Sequence, residues 1–460
     1  MGSWRWCGID KETLPGIVRD VELSEPLPHL PSRDDAGRRA AQAWLVVRLF
    51  TEPLGLLTVD LPEEGLPAAG LAAAIEARYG LAVRERIARA GGDPRSPLTC
   101  GRTVPGEPPF LARRREVLRD ALPITAVVCT RDRPGSLAAC LDSLLAQEYP
   151  SFRVLVVDNA PSDEATAGVV RAAAERGPVD YLRAPVPGLS RARNAAVAAT
   201  PGEILAWLDD DTVADPYWLA EIARALADHP MADVVTGVVV PAELETQAQL
   251  WFERFGGHSK GRGFTPAVFS PDTARVQSPL YPLPPFGTGA NMAFRPRVIE
   301  RLGGFDPALG AGTPALGSED TLMFTRLLRS GGTIVYQPSA LVRHHHRREL
   351  DGLRQQLVGY GTGLTAAYTA LLLRQPTVLF PLLGLVPRAL RDLVSPRSPR
   401  HAGIGPDFPR ELLSANRRGM LRGPRAYLAG RRRLRSTSGA DRAAPPTAPP
   451  ATPAEQPASR

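Results

Sequence analysis

The sequence predicts an α/β protein: a mixed, mostly parallel sheet flanked by helices, with a small N-terminal α+β module and C-terminal helices. Three observations predict it. Two apolar, β-rich runs, "ITAVVC" and "FRVLVVDN", begin about thirty residues apart. Between them "RPGSLAACLDSLLAQEY" places Pro134 in a first helical turn and Leu137, Leu141, Leu144 and Leu145 on one face. Strand, amphipathic helix and strand at that spacing form a βαβ unit, which implies parallel strands and a right-handed crossover. "VDYLR", "ILAWL" and "DVVTGVVV" continue the pattern. Ligands of open parallel sheets bind beyond the carboxyl ends of the strands.

The chain has 460 residues, of which 43% are hydrophobic, enough for two or three domains and a sizeable core. The expected divisions are an accessory module over 1–120, a catalytic domain over 121–350, helices over 351–435 and a tail over 436–460. In the first part "AWLVVRLF" and "LGLLTVDLP" read as strands around a turn at Glu52-Pro53. "GLAAAIEARYGLAVRERIARA" follows with helical spacing, Leu71, Ile75 and Leu81 on one side. "LTAAYTALLLRQPTVLFPLLGLVPRAL" is interrupted by Arg374, Gln375, Pro376 and Pro381. It offers no unbroken run of the ~20 apolar residues a membrane span needs, and reads as a core or interfacial helix pair. The Pro/Ala-rich tail is expected to be disordered.

The formal charge of +7 comes almost wholly from arginine, since Lys11 and Lys260 are the only lysines. Arginines crowd the last third, a surface suited to anionic lipid, a phosphorylated substrate or plain solvation. No nucleic-acid recognition module accompanies them. Cys7, Cys100, Cys129 and Cys140 form no CxxC pair, which fits reduced thiols rather than a disulfide framework. The opening "MGSWRWCGID" lacks an apolar signal segment. A cytoplasmic protein is expected, with peripheral contact to the inner face of the cell membrane as an extension.

Polar residues gather where strands end. The first strand runs into Thr130-Arg131-Asp132-Arg133 and the second into Asp158-Asn159. "ILAWL" runs into Asp209, Asp210 and Asp211, and Glu319-Asp320 opens a later helix. Asp158 alone reads equally well as a turn former or cap, and Glu319 and Asp320 as complements of a helix dipole. Three adjacent carboxylates after a buried strand are harder to dismiss, because they invite a hard cation. Mg²⁺ or Mn²⁺ is commonly held by one or two carboxylates with substrate phosphates completing the shell.

The segments "AVVCTRDRPGSLAACLDSLLAQEYPSFRVLVVDNAPSD", "GLSRARNAAVAATPGEILAWLDDDT", "FGTGANMAFRP", "LGGFDPALG" and "GSEDTLMFTRLLRSGGTIVYQPSALVRHHH" occur in that order. Together they resemble the family 2 glycosyltransferases, inverting enzymes of the Rossmann-like GT-A fold that use nucleotide-sugars. The resemblance spans 123–346. It implies that Thr130, Asp132 and Asp158 line the base and ribose pocket, with Asp209 and Asp210 beside the ribose. It also implies that Arg191, Arg193 and Asn194 lie near the diphosphate. Asp211, with Asp209, would hold Mg²⁺ or Mn²⁺, and Gly289, Ala290 and Asn291 would shape the donor-sugar and acceptor pocket. Asp320 would be the general base, with Glu319 as the alternative. His344, in "VRHHHRR", is a further candidate metal ligand, set against a loop of stacked histidines.

Two positions depart from the family pattern: Asp132 stands where many relatives carry Asn, and Asp158-Asn159 replaces a common Asp-Asp. No Gln-x-x-Arg-Trp motif of processive synthases is present. The resemblance therefore implies transfer of a single hexosyl or related sugar from a UDP-, GDP- or dTDP-sugar to a hydroxyl acceptor. A cell-envelope glycan, a lipid-linked intermediate and a secondary metabolite all qualify as acceptor. A non-catalytic sugar-nucleotide-binding relative and a nucleotidyltransferase are the alternatives. "CTRDRPGS" is a poor phosphate loop for the latter.

Overall fold

A computed structural model describes residues 14–259, 261–272, 280, 286–394, 404–405 and 407–441. The main sheet has nine strands, ordered β10-β12-β9-β11-β7-β4-β5-β6, with β8 paired to β12. Its centre is β4 (Ile124–Thr130), parallel to β5 (Phe152–Asn159) and to β7 (Ile204–Asp209). β6 (Val179–Ala184) extends this parallel group. β11 (Asn291–Phe294) runs antiparallel to both β7 and β9 (Val234–Pro241), so β9 again points with the group. β12 (Ile334–His344) is parallel to β9, while β10 (Ala267–Phe269) and β8 (Thr212–Ala214) run against it. The sheet is mixed, and β4, β5, β6, β7, β9 and β12 share one direction.

The strands read as near-continuous apolar runs because both faces are covered. Along β4, Ile124, Ala126 and Val128 join one core cluster and Val127 the other, as alternation across a strand requires. Helix α3 (Pro134–Leu145) supplies Leu137, Cys140, Leu141 and Leu144 to the first cluster, and Leu145 packs at its edge. Helix α5 (Leu189–Ala199) contributes Ala192 and Ala196 to the second.

The N-terminal sheet differs from its sequence reading in two places. β2 (Gln42–Leu49) and β3 (Glu52–Asp60) are joined by Phe50 and Thr51, both left-handed at φ 51° and 66°. The Glu22 carboxylate accepts both of their N–H groups at 2.8 Å, which holds the turn without glycine. Glu52 and Pro53 therefore begin β3 instead of forming the turn. β1 (Gly16–Glu22), which no alternation announced, lies parallel to β2. Helix α1 (Ala68–Arg89) buries Leu71, Ile75, Val83 and Ile87. Leu81 is 68% exposed, because position 81 falls off the stripe that 71, 75, 83 and 87 define.

This module is fastened to the main sheet. Gly16 N donates to Leu244 O at 2.7 Å, and Trp44 packs on Leu244 and Leu250. Arg48 reaches Asp215, just past β8, in a buried pair at 2.5 Å, and also Asp20 at 3.2 Å. Arg343 of β12 meets Asp20 as well. Behind β8, Arg114 of α2 (Pro109–Arg119) pairs with the fully buried Glu221 at 2.8 Å.

After β12 come α10 (Leu350–Arg374), α11 (Leu379–Val394) and α12 (Arg410–Asp441), the shorter α8 (Val298–Arg301) and α9 (Glu319–Arg329) having preceded it. α10 packs tightly along α12. α12 runs past residue 435, where the tail was expected to begin; 442–460 and 1–13, Cys7 included, lie outside the described residues. Among the described residues no helix is long and apolar enough to cross a membrane, and Cys100, Cys129 and Cys140 are free.

The Arg48–Asp215 pair makes a testable contribution. Arg48→Met leaves a buried carboxylate without its cation, and should lower unfolding free energy by about 3 kcal/mol in urea titration. Arg48→Met/Asp215→Asn should recover part of that loss.

Candidate active site

The chain folds back on itself at the end of β7. Asp209 closes that strand, Asp210 and Asp211 make the turn, and β8 pairs with β12 in the register Thr212↔His344. That register sets His344 beside Asp211, with Nε2 3.2 Å from Oδ1, and His345 N donates to Asp211 O at 2.9 Å. Ligand atoms of Asp209, Asp211 and His344 all lie within 4.8 Å of one another.

The protonation of this cluster is dictated by its surroundings. Burial drives the His344 pKa down to about 4, against the pull of Asp211, so the ring is neutral near pH 7. Its Nδ1 faces His345 O at 3.1 Å, so Nδ1 carries the proton and Nε2 is a bare lone pair. Nε2 and Asp211 Oδ1 thus present two lone pairs to each other. In an octahedral shell with ligands near 2.1 Å, adjacent ligand atoms are about 3 Å apart. The observed spacing fits two ligands of one cation.

The three carboxylates are treated differently. Burial, with the charge of Asp211, pushes Asp209 up to about 7, although Arg193 lies 3.8 Å away and opposes it. Asp210 accepts from Thr130 Oγ1 at 2.7 Å and from Arg133 at 2.5 Å; burial still raises it to about 6, against Arg133. Burial also works to raise Asp211, but the Arg133 guanidinium, 2.7 Å away, holds it below the usual carboxylate range. Asp210 and Thr130 are therefore spent on each other, under the site. Arg133 is the compensating cation that sequence reasoning missed; its place at the end of the first strand was the available signal.

Beneath the cluster Arg193 is 2% exposed. It donates to Glu319 Oε1 at 2.8 Å and to Gly289 O at 3.1 Å, over the rings of Trp207 and Phe305. Asn194 exchanges two hydrogen bonds with the Phe305 backbone, at 2.8 and 2.9 Å. Asn291, 1% exposed, accepts from Trp218 Nε1 and donates to Val238 O and Ala340 O. Asn194 and Asn291 spend their amides on loop and strand anchoring, while Arg193 gives N–H donors from both terminal nitrogens to Glu319 and Gly289. Ala290 is likewise buried, and Arg191 stays half-buried at the start of α5.

Glu319 and Asp320 separate cleanly. Glu319 is buried in its pair with Arg193; burial raises its pKa against that cation. Asp320 is half-buried, and its Oδ2 accepts Gly289 N at 2.6 Å. A Cβ at Gly289 would meet Arg193 and Asp320. Gly289 thereby links Asp320, through Arg193, to Asp209.

On the far side of β4, Asp158 is 0% exposed. Tyr181 Oη donates to its Oδ2 at 2.8 Å, while Oδ1 is buried with no hydrogen-bond partner among the described residues. Burial raises its pKa, against Tyr181. Asp132, exposed at φ 53°, ties the loop after β5 by accepting from Ser162 N and Oγ at 2.8 and 2.9 Å. Histidine stacking also occurs: His258 lies parallel to His344 at 4.2 Å, and His346 bonds Glu253 at 2.7 Å.

The carboxylates and the imidazole gather at the carboxyl ends of parallel strands, where open α/β sheets bind their ligands. The family model "Glycosyl transferase family 2" matches residues 125–303. The succinoglycan biosynthesis protein ExoM of Rhizobium meliloti is 31% identical over 229 residues, covering 48% of this chain and 67% of that protein. A glucosyl-dolichyl phosphate glucuronosyltransferase of Haloferax volcanii is 24% identical over 245 residues, covering 50% and 72%. Among solved structures, the mannosyltransferase PcManGT from Pyrobaculum calidifontis, in complex with GDP-Man and Mn²⁺, aligns over 72% of this chain and 82% of its own. Its TM-score is 0.39 at 20% identity. The chain belongs to the family 2 glycosyltransferases, and it is a glycosyltransferase.

Proposed function

We propose that the protein transfers one sugar, with inversion, from a nucleoside diphosphate sugar to a hydroxyl acceptor, and that it needs Mg²⁺ or Mn²⁺. The observation that carries this reading is the convergence of ligand atoms of Asp209, Asp211 and His344 within 4.8 Å of one another. Asp209, Asp211 and His344 would hold the ion, which supplies charge stabilisation for the departing diphosphate. Arg133, at the cluster's edge, adds positive charge on the same side. Asp158 Oδ1 needs an N–H donor, and a ring N–H of uracil, thymine or guanine provides one. Cytosine presents an acceptor at that position, so UDP-, dTDP- or GDP-sugars fit better than a cytidine donor.

Asp320 is the general base. Unlike Glu319, which is buried and committed to Arg193, it is only half-buried and pairs with no cation among the described residues, its two oxygens oriented by the N–H groups of Gly289 and Thr321. The acceptor hydroxyl gives its proton to Asp320 as its oxygen bonds to the anomeric carbon. The bond from that carbon to the diphosphate breaks in the same displacement, and the nucleoside diphosphate leaves.

The protein is also proposed to touch an anionic membrane surface peripherally. Leu379, Leu383, Val386 and Leu390 are exposed along one stripe of α11, next to Phe380 at 76%. Residues 364–435 carry fourteen arginines against Asp392, Asp407 and Glu411, a balance of +11, so the rest of the chain is at −4. An apolar stripe within a basic region suits the headgroup boundary of anionic lipid.

Three outcomes test this. Asp211→Asn should abolish Mn²⁺-dependent binding of the nucleoside diphosphate in calorimetry. Asp320→Asn should retain that binding while kcat falls by about 10²–10⁴-fold; unchanged kcat would remove Asp320 from the mechanism. Leu383→Glu should release the protein from phosphatidylglycerol vesicles in a sedimentation assay, and equal sedimentation would end the membrane reading.

A further inference from the structure

A second concavity lies beside the catalytic helix. A groove of about 600 Å³ runs between α12 and the loop that leads into α9. On the helix side it is lined by Arg418, Arg422 and Arg425, with Leu421 among them. Pro314 and Leu316 form the opposite wall. The loop that carries that wall runs on to Ser318, the residue before Glu319 and Asp320.

The arginines are spaced i, i+4 and i+7, so they share one face of α12. Among the described residues none of the three pairs with a carboxylate; Arg418 makes only local bonds to Ser414, at 3.1 and 3.4 Å. Like charges at this spacing destabilise a helix unless something neutralises them. Leu421, interleaved with them, is 82% exposed, and Leu316 on the facing wall is 48% exposed. Leu316 and Ser318 are both left-handed, at φ 66° and 65°, a costly backbone for residues with side chains.

The platform under these groups is rigid. Asn416 Nδ2 donates to Leu357 O at 3.0 Å, and Thr365 Oγ1 to Met420 O at 2.7 Å. Gly361, Gly419 and Gly423 bring the two helices so close that a Cβ at any of them would strike the partner helix. Gly363 does the same for the loop, where a Cβ would meet Gly317 and Ser318. The arginines therefore project from a fixed surface toward the loop that sets Asp320.

We propose that this groove anchors the acceptor, and that the acceptor is a phosphate-bearing apolar chain. Its phosphate sits on Arg418, Arg422 and Arg425, which can form forked, charge-assisted bonds to phosphate oxygens. Its chain lies along Leu316 and Leu421, and the group that accepts the sugar extends past Ser318 toward Asp320. This rests on the glycosyltransferase reading with a hydroxyl acceptor, and specifies the class of that acceptor.

Calorimetry with farnesyl phosphate, farnesol and inorganic phosphate, without nucleotide or metal, tests it on the full chain. Farnesyl phosphate should bind saturably and at least about tenfold tighter than either fragment probe. Arg422→Ala/Arg425→Ala should weaken it by about tenfold or more, and Arg422→Lys/Arg425→Lys by less. The lysine variant keeps the test readable if the alanine variant fails to fold by circular dichroism. Equal binding of inorganic phosphate or of farnesol would overturn the proposal, as would full affinity in the folded alanine variant. Because neither donor nor ion is present, loss of the donor-site reading would leave this result standing, and the reverse.

Discussion

The site depends on how three adjacent carboxylates are made tolerable at the end of a buried strand. Each is given a different partner. Asp209 looks toward Arg193, Asp210 is held by Thr130 and Arg133, and Asp211 is shared between Arg133 and His344. The partners come from three separate stretches of chain, and the pairing of β8 with β12 brings the last of them in. A one-residue slip of that register would turn His344 to the other face of the sheet. The N-terminal module guards against it from outside, through Arg48 on Asp215 and Arg343 on Asp20. The N-terminal module thereby stiffens the segment that carries the carboxylates.

Much of this was legible in the sequence, for a physical reason. Strands buried on both faces must be apolar throughout, so "ITAVVC", "FRVLVVDN" and "ILAWL" betray themselves, and the charged residues after them mark the open edge of the sheet. The Asp triplet and Glu319-Asp320 were visible as anomalies in that pattern. What sequence could not weigh was the use of each polar group. Arg193 and Glu319 are 126 residues apart, and Asn291 bonds Trp218, Val238 and Ala340. Motif reasoning set Arg193 and Asn194 near the diphosphate and Asn291 in the sugar pocket, and could not show the long-range hydrogen bonds to Glu319, Phe305, Trp218, Val238 and Ala340 that hold them in place. The same blindness explains the hairpin: Pro53 suggested a turn, but Glu22, distant in sequence, stabilises Phe50 and Thr51 in one instead.

The two sides of the cleft are built from different material. The groups proposed to hold the donor sit at strand ends of the central sheet, where register fixes them. The groups proposed to hold the acceptor hang on the loop before α9 and on helices α10 and α12, locked by glycine contacts instead of a hydrogen-bond ladder. A family that keeps one donor chemistry while varying its acceptors would place its variability in such a region.

The central claim is that His344 and the carboxylates share one divalent ion. Electron spin-echo spectroscopy of Mn²⁺ added with a nucleoside diphosphate tests it directly, because a bound imidazole nitrogen modulates the echo. The account predicts nitrogen modulation in the wild type and its loss in His344→Ala. Bound Mn²⁺ without nitrogen coupling, or coupling that survives in His344→Ala, would contradict it.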